Sequence, residues 1–138
     1  MPRLPAPLPL LPWVAAGGAL GAGARWSLGE VLPADPLAWG TLTANLTGCA
    51  LLGALLTWLL ARAPDAQRLR AFAGVGVLGG FTTFSTAMLD AHTLVRDGSP
   101  ALAGAEIALG LLGGLLAVLA GMAIARRVLD RRSGEATP

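Results

Sequence analysis

The chain has 138 residues, of which 54% are hydrophobic and 13% charged, and its formal net charge is +2. A soluble domain of this size usually carries about a quarter charged residues, so too little polar material is present here to cover a soluble exterior. All ten basic residues are arginines, and they lie mainly at the ends of hydrophobic runs, which is typical of a membrane protein and argues against a nucleic-acid binder.

Four apolar stretches are long enough to cross a bilayer, since a spanning helix needs about 20 mostly apolar residues. They cover residues 11–28, 37–61, 69–89 and 101–125. The links between them are too short for a soluble domain, and the tryptophans lie near span ends, where interfacial aromatics are expected. The sequence thus predicts an all-α membrane protein with a single transmembrane domain over residues 1–138.

Both ends of the chain are predicted to lie outside these spans. Five prolines within residues 2–12 predict an irregular start. They also argue against a cleaved secretory signal, the alternative raised by Arg3 and the apolar run that follows it. Residues 126–138 are predicted to form a polar tail.

The first span combines small residues, from Gly17 to Ala24, with a charge at Arg25. Small residues on a membrane helix allow the backbone of a neighbouring helix to approach closely. The guanidinium of Arg25 either reaches the membrane interface or draws anions into a water-filled vestibule, and both interpretations stay open.

The second span has one helical face that contains Thr41, Asn45, Gly48 and Leu52. An amide inside the bilayer needs a hydrogen-bond partner. Asn45 therefore either binds a neighbouring helix or donates its amide hydrogens to a permeating anion.

The third span is rich in glycine from Gly74 to Gly80 and continues with Phe81-Thr82-Thr83-Phe84-Ser85-Thr86. Paired glycines followed by threonines weaken a regular helix. A broken membrane helix is tolerated where protein or a cavity surrounds it, and its freed carbonyls can hold a cation such as Na⁺. The alternative is a tight helix crossing, with glycines for close approach and threonines bonded to the preceding turn.

The fourth span contains one charge, Glu106, about a turn and a half from its start, and the simplest interpretation is that this side chain extends outward. Cys49 is interpreted as a small packing residue and His92 as a solvated surface residue. The sequence contains no visible nucleophile–base pair, paired carboxylate site, metal cluster or phosphate loop, so an enzyme is not expected.

The arginines predict the orientation of the chain. With four spans, both termini and the second link share one side, and only Arg96 lies clearly on the other. The shared side holds eight arginines, namely Arg3, Arg62, Arg68, Arg70, Arg126, Arg127, Arg131 and Arg132. By the positive-inside rule, both termini are cytoplasmic in the cell membrane, and the chain inserts in one orientation.

Three motifs, in this order, carry a family resemblance: GGALGAGARW from Gly17, GTLTANLTG from Gly40 and GGFTTFST from Gly79. With them the chain resembles the fluoride-specific ion channel family, also called Fluc or CrcB, from about Gly17 to Arg127. The resemblance implies an antiparallel, dual-orientation dimer of four-helix subunits. In this arrangement the third helix is broken at its midpoint, and two fluoride pores run along the dimer interface.

The resemblance also implies roles for individual residues. A structural Na⁺ that is not transported would be held at the dimer centre by the backbone carbonyls of Gly79 and Thr82. Arg25 would lie in the vestibule near the aqueous mouth. The fluoride pathway would contain Asn45, Phe84, Ser85 and Thr86.

Two departures from the family pattern affect this pathway. The positive ring edge of Phe84 can meet F⁻, but the second phenylalanine that the family commonly has three residues later is Ala87 here. The fourth helix of the family usually carries a tyrosine and then a serine, where this chain has Glu106 and Gly110. A fixed carboxylate beside an anion path repels fluoride, so Glu106 lies off the path or is protonated.

The expected function is passive export of fluoride across the cell membrane, which lowers cytoplasmic fluoride and its toxicity. The arginine bias conflicts with a homodimer of inverted chains, so the expected partner is a related, oppositely oriented subunit. One alternative is a non-conducting or regulatory partner subunit of a heterodimeric fluoride channel. Another is a small multidrug-type proton-coupled exporter, which would need a mid-membrane carboxylate that the first span lacks.

Overall fold

The computed structural model describes residues 8–134, with side chains for residues 9–131. The predicted irregular start and polar tail therefore lie partly outside the described residues. Within residues 8–134 every regular element is a helix, which confirms the all-α prediction. After a short 3₁₀ turn, the helices are α1 (Leu11–Val31), α2 (Trp39–Arg62), α3 (residues 67–81), α4 (Phe84–Arg96) and α5 (residues 100–134).

Two of these helices contain a stretch of π-helix, in which each amide bonds the carbonyl five residues earlier. The stretches are Arg70–Leu78 in α3 and Leu109–Gly113 in α5. The amide of Gly79 accordingly donates to the carbonyl of Gly74. Neither stretch carries a sequence signal that predicted it.

Three segments of the described chain are long and apolar enough to cross a membrane: Trp39–Arg62, Gln67–Arg96 and Pro100–Arg131. The second of these comprises α3 and α4 together. Helix α1 has 21 residues, which gives it a length of about 30 Å and matches the hydrocarbon thickness of a bilayer. Its glycines and Arg25 make it less apolar than the other three.

The surface is apolar where that of a soluble protein would be polar. Among the described residues, buried hydrophobic side chains are few and half of them are alanines, whereas leucines along α5 such as Leu112 and Leu116 are exposed. The four tryptophans are also at least 40% exposed. A helix bundle with this exterior is stable where lipid, not water, surrounds it.

Helices α1 and α3 pack with their backbones in contact through the predicted small-residue stretch. A Cβ atom placed on Gly21 would collide with the main chain at Val77, and one on Gly80 would lie 2.6 Å from the carbonyl oxygen of Gly18. A similar contact joins α2 and α5, where a Cβ on Gly53 would collide with the main chain of Val118. Close backbone approach of this kind stabilises membrane helices through dispersion contacts.

Substituting Gly17 tests this packing. A Cβ there would collide with the carbonyl of Phe72, so Gly17→Ala should lower the free energy of unfolding by about 1–3 kcal/mol, the usual cost of overpacking. The neighbouring Gly18→Ala is the matched control, because no atom lies within 4 Å of its Cβ. Thermal unfolding in detergent measures both, and an equal loss in the two variants would contradict the packing argument.

Helix α4 extends past the predicted end of the third span at residue 89 and stops at Arg96. It stops there because Gly98 adopts a left-handed φ of 78° and Pro100, which lacks an amide hydrogen, starts α5. Asp90 therefore lies inside a helix and not in a link. This places its carboxylate beside α2.

Candidate functional site

The third membrane segment leaves the helical conformation at Thr82 and Thr83. Their backbones are extended, with φ/ψ of −86°/152° at Thr82 and −151°/128° at Thr83. From the glycine and threonine pattern, the third segment is expected to unwind from Gly79 to Thr82, but the start of this prediction is wrong, because Gly79–Phe81 is still helical. Gly76 and Gly80, before the break, form the close contact with α1 that the alternative interpretation predicted.

Asn45 holds the broken segment from the neighbouring helix α2. Its amide nitrogen donates to the carbonyl of Thr83 at 2.8 Å, and its oxygen accepts from the amide of Thr83 at 2.7 Å. Both main-chain groups of Thr83 are thus satisfied without a helical turn, which an extended residue at membrane depth requires. A carboxamide has two N–H donors, so one N–H of Asn45 is left for another acceptor.

Thr83 also organises the hydroxyl groups that follow the break. Its side chain caps α4 by accepting from the amide of Thr86 at 3.2 Å, a role typical of threonine before a helix. It donates to the Thr86 hydroxyl at 3.0 Å and lies 3.3 Å from the Ser85 hydroxyl. Thr83 was not among the predicted site residues, although a threonine just before a helix is a recognisable capping signal.

The carbonyls of Gly79 and Thr82 are among those at the break that have lost their usual helical partners. In an α-helix, the carbonyl of residue i accepts from the amide of residue i+4. For Gly79 that amide belongs to Thr83, and it donates to Asn45 instead. For Thr82 it belongs to Thr86, and it donates to the Thr83 hydroxyl. Gly79 and Thr82 are the residues whose carbonyls are predicted to hold Na⁺.

A cation at the break would depend on such main-chain oxygens. Among the described residues, no group of His, Cys, Asp or Glu side chains could hold a metal ion. Gly79 is exposed, and its Cβ position has no atom of another helix within 4 Å. The main chain at Gly79 is therefore open toward the outside of the subunit.

Arg25 binds the main chain just before the break. Its Nε donates to the carbonyl of Gly80 at 3.3 Å, a contact that neither of the two interpretations of this arginine included. The contact places a positive charge beside the end of α3. Helix C-terminal carbonyls carry partial negative charge, so a guanidinium is stabilising there.

The predicted face of α2 follows the broken segment along its length. The Thr41 hydroxyl donates to the carboxylate of Asp90 at 2.8 Å, Asn45 binds Thr83 as described above, and a Cβ on Gly48 would collide with the side-chain methyl of Thr82. Asp90 is a second residue that was not predicted. Its partner Thr41 is 49 positions away, so no local signal reveals the pair.

A cavity of about 250 Å³, called the central cavity below, lies between α2, α4 and α5 beside the break. Its lining includes Asn45 and Phe84, and also the three residues at which the chain departs from the family pattern, Ala87, Glu106 and Gly110. The phenyl ring of Phe84 is 66% exposed. The other predicted pathway and vestibule residues, Ser85, Thr86 and Arg25, are not among the residues that line it.

A second cavity of about 300 Å³, called the acidic cavity below, is lined by residues of the first link, α4 and α5. Its carboxylates belong to Asp35, Asp90, Asp97 and Glu106. Since it brings the first link together with Ser99 of the third link, it lies at the end of the bundle opposite the second link. Arginines dominate that other end.

Comparison with known proteins bears on what this arrangement does. A sequence model of the family described as CrcB-like protein, Camphor Resistance (CrcB), matches residues 12–122. The chain is 48% identical over 125 residues to fluoride-specific ion channel FluC 2 of Thermobifida fusca (strain YX), an alignment that covers 89% of this chain and 93% of the relative.

Two further relatives show the same similarity. The chain is 44% identical over 108 residues to fluoride-specific ion channel FluC of Xanthomonas axonopodis pv. citri (strain 306), covering 76% of this chain and 81% of the relative. It is 40% identical over 126 residues to fluoride-specific ion channel FluC 1 of Streptomyces coelicolor, covering 90% and 82%. These similarities confirm the resemblance carried by the three motifs.

Proposed function

Because the chain belongs to the CrcB-like protein family, whose matched relatives are named fluoride-specific ion channels, we propose that it is a channel subunit that lets fluoride leave the cell passively. The family is one of membrane channels and not of enzymes. A membrane potential that is negative inside drives an anion outward without energy coupling. Lower cytoplasmic fluoride, and hence lower toxicity, would be the biological result.

The observation that carries this proposal is the contact between Asn45 and the broken segment. It sets a carboxamide with a spare N–H donor beside the central cavity, which Phe84 also lines. A dehydrated fluoride needs hydrogen-bond donors and the positive edges of aromatic rings to replace its water. The hydroxyls of Ser85 and Thr86, gathered on Thr83, extend the polar surface.

A structural Na⁺ at the centre of a dimer fits the residues present. The carbonyls of Gly79 and Thr82 lack their usual amide partners, and oxygen ligands suit a hard cation. Bound there, the ion would supply a fixed positive charge that holds two broken segments together and is not itself transported. Gly79 lies on an exposed surface, as it must if a second subunit contributes the remaining ligands.

The partner we propose is a related chain in the opposite orientation. The exposed Phe84 and the open side of the central cavity give a dimer surface, while the arginine distribution favours cytoplasmic termini and a single orientation for this chain. Two of the relatives bear numbered names, FluC 1 and FluC 2. Such numbering is expected where one organism encodes more than one chain of this kind. A heterodimer reconciles the biased charge with an antiparallel dimer.

Fluoride efflux from liposomes tests the function. The purified chain is reconstituted alone and together with a charge-inverted copy, in which the arginines near the termini and the second link become glutamine and the other links gain arginines. We expect fast efflux of fluoride and not of chloride from the mixed vesicles, measured with ion-selective electrodes. Labelling first has to show that the mixed vesicles contain subunits in both orientations. If these vesicles are then impermeable to fluoride, the channel proposal is contradicted. Equal efflux from the chain alone would contradict only the heterodimer.

The alternative of a non-conducting partner subunit gains some support from Ala87, Glu106 and Gly110, since all three line the central cavity. The same mixed vesicles distinguish it. If this chain conducts, Asn45→Ala placed in this chain alone lowers the flux. If it only assembles with its partner, that substitution leaves the flux unchanged as long as cross-linking shows an intact dimer.

A further inference from the structure

Glu106 is the residue that joins the two cavities. It lines both the central cavity and the acidic cavity, and no other described residue does so. Its side chain is only 2% exposed, which rules out the expected outward extension. Glu106 therefore lies at the boundary between the two cavities.

This carboxyl group has little to compensate its charge. Both of its oxygens are buried without a hydrogen bond of good geometry, and the backbone amide of Ala38 is the nearby group that partly compensates them. Asp90 lies close enough to act on Glu106 electrostatically, and its carboxylate has the same sign when both are ionised. A buried charge with no counter-ion and a like-charged neighbour is strongly disfavoured.

The unfavourable buried charge would be neutralised if this carboxyl group bound either a metal ion or a proton. The described side chains form no group of three or more His, Cys, Asp or Glu that could hold a metal ion, so the carboxylates of the acidic cavity do not converge on one point. A proton needs a single carboxyl group. A proton is therefore the simpler of the two occupants for Glu106.

We propose that Glu106 is a proton-operated gate for fluoride between the acidic cavity and the central cavity, an inference that rests on the proposed channel function. In the neutral form, its O–H donates a hydrogen bond to a passing F⁻ and keeps its proton. In the ionised form, the carboxylate repels the anion and offers no donor. Fluoride flux is thus high when the solution on the side of the acidic cavity is acidic and falls as that solution becomes alkaline.

Other titratable groups line the two cavities together with Glu106 and have to be separated from it. Helix α4 contributes Asp90 and Asp97, the first link contributes Asp35, and α2 contributes Cys49. Of these, Asp97 is exposed at the rim. Asp97→Asn is therefore the matched control, which changes a charge of the acidic cavity without touching the junction.

The test measures fluoride efflux from vesicles at about pH 5.5 to about pH 8.5, over which the protonated fraction of a titrating acid changes about tenfold per pH unit beyond its midpoint. Leakage of hydrogen fluoride is subtracted with protein-free vesicles. The wild type and Asp97→Asn should lose flux toward alkaline pH, up to tenfold per unit. Glu106→Gln, which is neutral and keeps N–H donors, should conduct at all pH values with a flat profile.

Infrared difference spectra provide a second measurement, and this one would not change with pH if Glu106 had only a structural role. A protonated carboxyl C=O band should disappear on alkalinisation in the wild type and be missing from Glu106→Gln. The gate is overturned if this band is absent, if Glu106→Gln keeps the wild-type pH profile, or if Asp90→Asn alone flattens it. If no variant conducts fluoride at any pH, the channel proposal fails and the gate fails with it.

Discussion

Replacing Asn45 with alanine is expected to abolish most fluoride flux while leaving the chain able to insert. The substitution removes both hydrogen bonds to the main chain of Thr83. Each buried backbone group left without a partner costs about 1–3 kcal/mol. A loss of about 3 kcal/mol corresponds to roughly a 100-fold fall in the population of the extended break. Fluoride efflux from liposomes should fall by a similar factor.

The matched control for this prediction lies two residues away on the same helix. The Thr47 hydroxyl bonds only the main chain of its own helix, with the closer contact at 2.6 Å to Thr43, so Thr47→Ala should change the flux less than twofold, in line with exposed polar substitutions. Infrared-detected hydrogen exchange at the break should rise in Asn45→Ala alone. Wild-type flux in Asn45→Ala would show that the break does not depend on this amide.

Much of the fold follows from local sequence signals. Apolar runs long enough to cross a bilayer predict the membrane helices. Apart from closed barrels, a helix is the structure in which every backbone N–H and C=O finds a hydrogen-bond partner in lipid. Gly98 and Pro100, which end α4 and begin α5, were not used to predict where the third span stops. The predicted end at residue 89 was too early because a polar residue, Asp90, was taken to mark a link, whereas a hydroxyl of α2 satisfies it inside the fold.

The site was predicted less completely, for a physical reason. The motif from Gly79 to Thr86 indicates that the helix is interrupted, but it does not say whether the glycines or the threonines leave the helix. That choice depends on α1, whose backbone needs Gly80 for close contact, and on Asn45, which captures Thr83 from 38 positions away. Contacts between distant positions of this kind are not encoded in any local pattern.

The role of Glu106 was also not predictable from local sequence. The sequence allows it to point outward, to lie off the path or to be protonated, since a carboxylate near a helix start is compatible with each. Only the packing of α4 against α5 decides that its side chain is buried and lies between two cavities. A departure from the family pattern thus becomes interpretable once its neighbours are known.

Removing sodium is the second change with a large expected effect. If the carbonyls of Gly79 and Thr82 hold Na⁺ at the dimer centre, protein purified and reconstituted without Na⁺ should lose fluoride efflux almost completely. Without the central ion, the partial negative charges on the carbonyl oxygens of the two facing subunits repel each other. Binding to the dimer but not to the separate subunits stabilises it by about 2.7 kcal/mol when the ion is at 100 times its dissociation constant.

The control replaces Na⁺ with N-methylglucamine at the same ionic strength, so that screening of surface charges is unchanged. K⁺ serves as a size control, because a larger ion should not fit carbonyls spaced for Na⁺. Dimer dissociation in detergent, followed by cross-linking or light scattering, should respond to Na⁺ in parallel with the flux. The diverted amides of Thr83 and Thr86 would then be explained as the means by which the chain frees two oxygens for an ion. Equal flux and equal dimer stability in all three salts would leave those oxygens without a cation and contradict the sodium site.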